Sequence, residues 1–339
     1  MIFAGSFVFH VLRPLIGRFQ ALKVDPVTSN SPKKIIIDTD PGQDDAVAIL
    51  LALASPELEV MGITCVAGNV PLPLTTLNAR KVVDLSGKDV LIYAGCDTPV
   101  DRPLVTAEHV HGRTGLDGPE LPDPIARLED AHAVDFIIET AKSNPGLTLC
   151  PLGPLTNISA ALTRAPEIAS SIQKIVLMGG GYFEQGNITP SAEFNIYVDP
   201  TAADIVIGSG IPITILPLDC THGALTTRPR VEAFRALGNR AGVAVAELTD
   251  FFERYDKAKY GSDGAPLHDP CVIAWLLRPE LFESRHVHVA IDTREGMTLG
   301  ATIVDYWRVT NRKPNATWVR SLDADGFFAL LNERLSELP

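Results

Sequence analysis

Four aspartates crowd one short segment near the start of the chain, Asp38-Thr39-Asp40-Pro41-Gly42-Gln43-Asp44-Asp45. The segment lies where an apolar run over 35–37 stops and an apolar run over 46–54 begins, which predicts a strand-to-helix turn. Capping of the helix would explain one aspartate but not four. Because like charges at this density repel one another, the cluster predicts a bound cation, and oxygen-only ligands are typical of calcium or magnesium.

Two later segments also place polar groups beside apolar elements. His268-Asp269-Pro270 follows a loop and precedes the apolar run 272–277. Taken alone it would be an N-cap aspartate and a loop histidine, and only its partnership with the first cluster makes it a candidate for the same site. Ala192-Glu193-Phe194-Asn195 alternates polar and apolar groups after Gly186-Asn187, which indicates a site for sugar hydroxyls. The glycine triplet at 179–181 matches neither GxGxxG nor GxxxxGK[ST], so dinucleotide and ATP binding are weakly supported.

The elements that must position these residues alternate between short β-branched runs and longer helical stretches, a pattern typical of a parallel sheet covered by helices. We therefore predict an α/β fold with an open, mostly parallel sheet and a Rossmann-like core. The predicted strands are 34–39, 58–66, 90–93, 147–150, 174–178, 213–218, 286–291 and 301–304. The predicted helices are 44–54, 74–86, 131–142, 155–163, 201–209, 229–259, 268–277 and 325–335.

No linker or repeat divides the chain after the first thirty or so residues, so residues 32–339 are expected to form a single domain. Residues 1–31 lack acids before Asp25 and begin with an apolar run, and we expect a disordered or loosely docked extension, with a transit peptide as the alternative. This run lacks the order of a signal peptide and is too short to span a bilayer.

The composition excludes some partners. With 29 basic and 41 acidic residues the formal charge is −12, which argues against nucleic acid polymers as partners. Five cysteines without CxxC spacing are typical of reduced thiols in a cytoplasmic protein. No membrane partner is expected.

Together these segments resemble the inosine–uridine nucleoside hydrolase family. Besides the aspartate cluster, the matching motifs are Ala67-Gly68-Asn69, His111-Gly112-Arg113-Thr114-Gly115-Leu116, Gly153-Pro154-Leu155-Thr156-Asn157, Met178-Gly179-Gly180, Ala192-Glu193-Phe194-Asn195 and His268-Asp269-Pro270. The resemblance implies the nucleoside hydrolase fold, a homodimer or homotetramer, and one calcium ion at the bottom of the pocket.

The resemblance also implies residue roles. Calcium would be held by Asp40, Asp45, Asp269 and the main-chain carbonyl of Leu152, where the family often has threonine. The residues implied to hold the ribose are Asp44, Asn69, Met178 through its main chain, Asn187, Glu193 and Asn195. His111 and Tyr260 match positions near the base and the pocket lip.

Hydrolysis of an N-glycosidic bond needs an activated water and a stabilised leaving base. Asp40 is the expected general base, and His268 is expected to protonate or hydrogen-bond the base, since histidine titrates in a suitable range. Relatives selective for purine nucleosides tend to have tryptophan at this position. The histidine therefore favours a broad or pyrimidine-preferring enzyme acting on uridine, cytidine and inosine.

Two alternatives stay open at this stage. A haloacid-dehalogenase-like magnesium phosphatase could use Asp38 as nucleophile and Asp40 as acid, although its downstream pattern is not evident and Pro41-Gly42 follows directly. A nucleoside- or ribose-binding protein without turnover would be expected to have lost Asp40 or His268, and both are present.

Overall fold

An eight-stranded sheet organises the part of the chain that the computed structural model describes, residues 31–339. The strands are β1 (Lys33–Thr39), β2 (Leu58–Cys65), β3 (Ile92–Ala94), β4 (Leu147–Pro151), β5 (Ile172–Met178), β6 (Ile213–Leu216), β7 (Phe282–Val287), β8 (Val289–Ile291), β9 (Thr302–Val304) and β10 (Ala316–Leu322). Strands β8 and β9 form a separate antiparallel pair. Residues 32–339 form one compact unit, while residues 1–30 of the predicted extension and the side chain of Tyr260 lie outside the described part.

The order of strands in the large sheet is β3-β2-β1-β4-β5-β6-β10-β7. All neighbours are parallel except β10 and β7, which are antiparallel. The order along the chain reverses between β1 and β4, and ligands of open α/β sheets bind beyond the strand ends at such a switch point. The aspartate cluster begins at the end of β1 and Leu152 follows β4, so both lie at this switch point.

Helices cover the sheet, and their bounds are α1 (Gln43–Leu53), α2 (Leu72–Ser86), α3 (Glu108–His111), α4 (Ala133–Ser143), α5 (Thr156–Arg164), α6 (Phe194–Val198), α7 (Pro200–Ile207), α8 (Leu218–Thr221), α9 (Arg228–Ala236), α10 (Arg240–Tyr260), α11 (Pro270–Leu277) and α12 (Ala324–Leu335). Helix α1 is buried over residues 43–52 and packs against α2, α10 and α11. A helix that is apolar on every side belongs in the interior, which places the turn before α1 in the core. In residues 31–339, no helix has the length and apolar character needed to cross a membrane.

The predicted open, mostly parallel sheet flanked by helices is confirmed, but two predicted elements are wrong in detail and one strand was not predicted. The helix predicted over 229–259 is two helices, because Gly238 adopts φ +74° and Asn239 caps α10 through its side chain. The strand predicted over 286–291 divides between β7 and β8, which belong to different sheets. Strand β10 was not predicted, although its threonine, tryptophan and valine residues have high strand propensity.

Candidate metal and nucleoside site

The turn after β1 brings the aspartates to the N-terminus of α1. The Gly42 N–H donates to Asp45 Oδ2 at 2.8 Å, and the Thr39 hydroxyl donates to Asp45 Oδ1. Asp44 and Asp45 lie in the first helical turn, where the helix dipole and free N–H groups favour negative charge. The local chain therefore fixes two carboxylates at one point of the switch region.

Asp269 joins these two carboxylates from the other end of the sequence. Carboxylate oxygens of Asp44, Asp45 and Asp269 lie within 4.8 Å of one another, and all three residues are buried. Asp269 precedes α11 but makes no capping hydrogen bond with its side chain, so helix capping does not explain it. Burial, and then the charge of Asp45, raises the pKa of Asp44 to about 8. Burial, followed by the charge of Asp44, raises the pKa of Asp269 well above its usual range.

Asp40 lies beside this group rather than within it. Its Oδ2 accepts a hydrogen bond from the Asn69 N–H at 2.7 Å, while its Oδ1 is buried without a partner. Gly68 and Gly153 enclose the carboxylate so closely that a methyl group at either glycine would overlap it. Burial, and then the charge of Asp45, raises the pKa of Asp40. A buried carboxylate oxygen without a donor is costly unless a ligand satisfies it.

These residues fit a divalent cation. Among the described residues that line the adjoining cavity there is no lysine or arginine to offset the carboxylates. The Leu152 carbonyl accepts a hydrogen bond from Asn195 Nδ2 at 2.6 Å, which leaves its second lone pair. Carboxylate and carbonyl oxygens are hard donors that suit calcium or magnesium better than zinc or copper.

A cavity of about 480 Å³ opens above the carboxylates, a volume within the range of small-molecule sites. Most of the residues predicted from the sequence line it, namely Asp44, Asn69, His111, Leu152, Met178, Asn187, Glu193, Asn195, His268 and Asp269. Asp40 and Asp45 are almost fully buried and lie outside the lining.

One wall of the cavity is held by hydrogen bonds around Glu193. Its Oε1 accepts from the Asn195 N–H at 2.9 Å, and its Oε2 accepts from the N–H groups of Gly180 at 2.9 Å and Ile196 at 3.2 Å. Asn187 Oδ1 accepts from a backbone N–H at 2.9 Å, so its amide NH₂ group is directed elsewhere. Burial raises the pKa of Glu193 to about 7, although the backbone donors oppose this shift. The wall therefore offers polar groups whose positions are fixed by the main chain.

His111 has a defined tautomer. Gln43 Nε2 donates to the carbonyls of His111 and Asp117 at 2.8 and 3.1 Å, so Gln43 Oε1 faces His111 Nδ1 at 2.8 Å. An amide oxygen can only accept, which places the proton on Nδ1. Since burial lowers the pKa of His111 to about 3, its Nε2 is a lone-pair acceptor at neutral pH.

His268 differs from the sequence-based expectation in its titration. Its Nδ1 lies 2.7 Å from the Thr221 hydroxyl, and burial, followed by the charge of His222, lowers its pKa well below the usual range. The ring is therefore neutral at neutral pH. When Thr221 donates to Nδ1, the ring carries its proton on Nε2 and serves as a hydrogen-bond donor.

Several residues of the cavity were not predicted: His109, Glu184, His222, Phe252, Tyr255 and Asp256. Phe252 stacks on His111 with ring centroids 5.3 Å apart, and Tyr255 meets His109 edge-on at 5.6 Å. The polar run from Asp219 to His222 follows β6, and polar residues beyond the carboxyl end of a parallel strand are a signal that could have indicated this wall.

Asp38 does not line the cavity. Its Oδ1 accepts from Thr64 Oγ1 at 2.5 Å and Asn157 Nδ2 at 2.8 Å, and the residue is fully buried. Burial raises its pKa to about 7. A nucleophile must reach its substrate, so this environment argues against Asp38 as the nucleophile of a phosphatase.

The fold and the carboxylate-floored cavity are those of an α/β protein with a small-molecule site, and comparison with known proteins specifies the family. Residues 35–329 match the family model described as inosine-uridine preferring nucleoside hydrolase. The chain belongs to this family, and it is an enzyme that hydrolyses the N-glycosidic bond of ribonucleosides.

Individual relatives cover nearly the whole chain. An uncharacterized protein from Schizosaccharomyces pombe is 51% identical over 309 residues, which cover 90% of this chain and 100% of the relative. The pyrimidine-specific ribonucleoside hydrolase RihA of Enterobacter sp. (strain 638) is 47% identical, and the match covers 89% of this chain and 97% of the relative. A solved structure of a purine-preferring ribonucleoside hydrolase from Gardnerella vaginalis has a TM-score of 0.83 at 38% identity, and the match covers 90% of this chain and 98% of the chain in that structure.

Proposed function

We propose that the protein is a calcium-dependent ribonucleoside hydrolase with broad or pyrimidine-preferring specificity that acts on uridine, cytidine and inosine. The observation that supports this most directly is the meeting of Asp269 with Asp44 and Asp45, within 4.8 Å, at the floor of a cavity of about 480 Å³. Carboxylates so far apart in sequence and so deeply buried need a cation to offset their charge.

In this proposal Asp40, Asp45, Asp269 and the Leu152 carbonyl hold the calcium ion. The unpartnered Asp40 Oδ1 and the raised pKa values of the aspartates support this assignment, because both mark negative charge that nothing else in the site neutralises. Calcium, when bound, supplies positive charge that stabilises the carboxylates and polarises the oxygens it contacts. Asp44, which lines the cavity, is left to bind a ribose hydroxyl.

Asp40 is the proposed general base. Its cage of Gly68, Gly153 and the Asn69 N–H holds one carboxylate oxygen and leaves the other without a donor. The oxygen without a donor is the one that can accept a proton from the attacking water.

The ribose hydroxyls are proposed to be bound by Asn69, Asn187, Glu193, Asn195 and the Met178 main chain. The backbone hydrogen bonds that fix Glu193 and Asn187 support this, since preformed polar groups bind a sugar with little loss of conformational entropy. They also hold the sugar while it flattens and gains positive charge in the transition state.

The leaving base is proposed to accept a hydrogen bond from His268. Its lowered pKa supports donation from a neutral ring rather than from an imidazolium. His111 and Tyr260 are proposed to lie at the base end, His111 as an acceptor through Nε2. His268 in place of tryptophan, and the higher identity to the relative named pyrimidine-specific than to the one named purine-preferring, support the pyrimidine preference.

Three further proposals concern the whole molecule: a single catalytic domain over 32–339 with an N-terminal extension, a homodimer or homotetramer, and a cytoplasmic location. The compact unit formed by residues 32–339 supports the first. The five free cysteines support a reducing compartment. Light scattering of the purified full chain and fractionation of its cells would test the assembly and the location.

The direct test is release of free ribose from uridine, cytidine, inosine and adenosine, before and after treatment with a chelator. We expect uridine and cytidine to be cleaved at least as efficiently as inosine, activity to disappear with the chelator, and calcium to restore it. Activity that survives complete removal of divalent cations would contradict the calcium assignment, and a clear preference for purines would contradict the specificity.

A further inference from the structure

The C-terminal half of α10 presents three acids with different surroundings. Asp250 forms ion pairs with Arg228 and Arg235, and Glu253 pairs with a lysine one turn later. Asp256 forms no salt bridge and no side-chain hydrogen bond with any of the described residues, and it lines the cavity instead. Burial raises its pKa to about 6, although Lys259 opposes this shift. A carboxylate that faces a cavity and has no partner among the described side chains has capacity to accept hydrogen bonds from a ligand.

Helical spacing fixes where Asp256 points. Phe252, Tyr255 and Asp256 stand at positions i, i+3 and i+4 of α10 and form one face of the helix. The same face packs against α3 through two ring contacts, Phe252 on His111 and Tyr255 on His109. All of these residues line the cavity, so this face forms one of its walls.

In the proposed function this wall would flank the nucleobase rather than the ribose. Glu193, Asn195 and Asp269, which surround the ribose end, are at most 6% exposed. Tyr255 and Asp256 are only partly buried, which places them nearer the mouth. A nucleoside whose ribose occupies the buried end must extend its base toward this mouth.

Cytosine and uracil differ at positions 3 and 4 of the ring, and position 4 lies opposite the glycosidic nitrogen, so its substituent points away from the ribose and toward the mouth. Uracil and cytosine share the carbonyl at position 2, so this group does not distinguish them. At position 4 cytosine has an amino group that donates, whereas uracil has a carbonyl that only accepts. A carboxylate can accept from the amino group, but it repels the carbonyl oxygen.

We infer that Asp256 is a specificity-determining residue that accepts a hydrogen bond from the exocyclic amino group of the base and favours cytidine over uridine. The inference rests on the proposed function and adds a preference within it. The same chemistry favours adenosine over inosine, since adenine has an amino group where hypoxanthine has a carbonyl.

The test compares Asp256→Asn with wild-type protein by the ratio of kcat/KM for cytidine to that for uridine. Because both substrates are assayed with the same preparation, the ratio does not depend on the fraction of folded enzyme. A hydrogen bond to an ionised group corresponds to about tenfold or more in this ratio. We expect the ratio to fall by that factor in Asp256→Asn, and to fall similarly in Asp256→Ala.

Asp263→Asn is the matched control, because Asp263 is an exposed acid outside the cavity lining and its replacement removes the same charge. We expect it to leave the ratio unchanged. Ribose release from both nucleosides with the same ratio in wild type and both Asp256 variants would overturn the inference and leave the proposed function intact. Failure of the wild-type protein to release ribose from any nucleoside would overturn both.

Discussion

Replacement of Asp40 by asparagine removes the proposed general base but keeps the packing of the folded protein. The asparagine Oδ1 can keep the hydrogen bond from the Asn69 N–H, and its amide NH₂ group then occupies the place of the carboxylate oxygen that has no partner. The two side chains have the same shape, so the tight enclosure by Gly68 and Gly153 is preserved. The variant therefore loses a negative charge and a base without creating a cavity.

The expected loss follows from these two functions. General base catalysis is worth about 10²–10⁴-fold, and loss of a charged metal ligand adds to it. We expect kcat/KM for uridine to fall by at least about 10²-fold, measured as ribose released at saturating calcium. Asp38→Asn is the matched control, since it makes the same change two residues earlier at a carboxylate that accepts hydrogen bonds from Thr64 and Asn157, and it should stay within about tenfold of wild type. Near-normal turnover of Asp40→Asn would refute the role of Asp40.

Three other predictions concern pH, packing and the leaving base. Folding raises the pKa of Glu193 from 4.5 to about 7. Chelator-treated protein should therefore lose up to about 3 kcal/mol of its free energy of unfolding as pH rises from 4.5 to 7. In urea unfolding, Glu193→Gln should show a smaller change of this free energy with pH. An equal dependence of the free energy of unfolding on pH in both proteins would contradict this. Gly68→Ala places a methyl group against Asp40 and should abolish ribose release in protein that still folds, whereas retained activity would contradict the close enclosure. Thr221→Val removes the hydroxyl beside His268 Nδ1 and should lower kcat about three- to tenfold, and an unchanged kcat would show that this hydroxyl does not set the tautomer.

The sequence predicted the site best where chemistry and local structure coincide. The strand-to-helix turn from Asp38 to Asp45 was predicted because its apolar flanks fix the element types and its charges have no local explanation. Asp269 was placed with them through the family resemblance, and the structure brings its carboxylate to the cluster. Alternating strands and helices likewise predicted the parallel sheet, whose strand ends define the site.

The sequence did not predict features that depend on tertiary packing. The surroundings of Asp40 come from glycines on two other loops, so its position beside the aspartate group follows from their backbone. Burial among other rings lowers the pKa of His268, which no local pattern encodes. Asp256 resembles the other acids of α10 in sequence, and only the packing of that helix on α3 turns it toward the cavity.

Calcium binding by the full chain tests the central claim most directly. Titration calorimetry of chelator-treated protein should show one calcium ion per chain, and Asp45→Asn and Asp269→Asn should each abolish or greatly weaken that binding. Because these two residues lie 224 positions apart in the sequence (269 − 45), loss of one shared site in both variants would require the convergence seen in the structure. Wild-type protein that binds no calcium yet releases ribose at full rate would contradict the account.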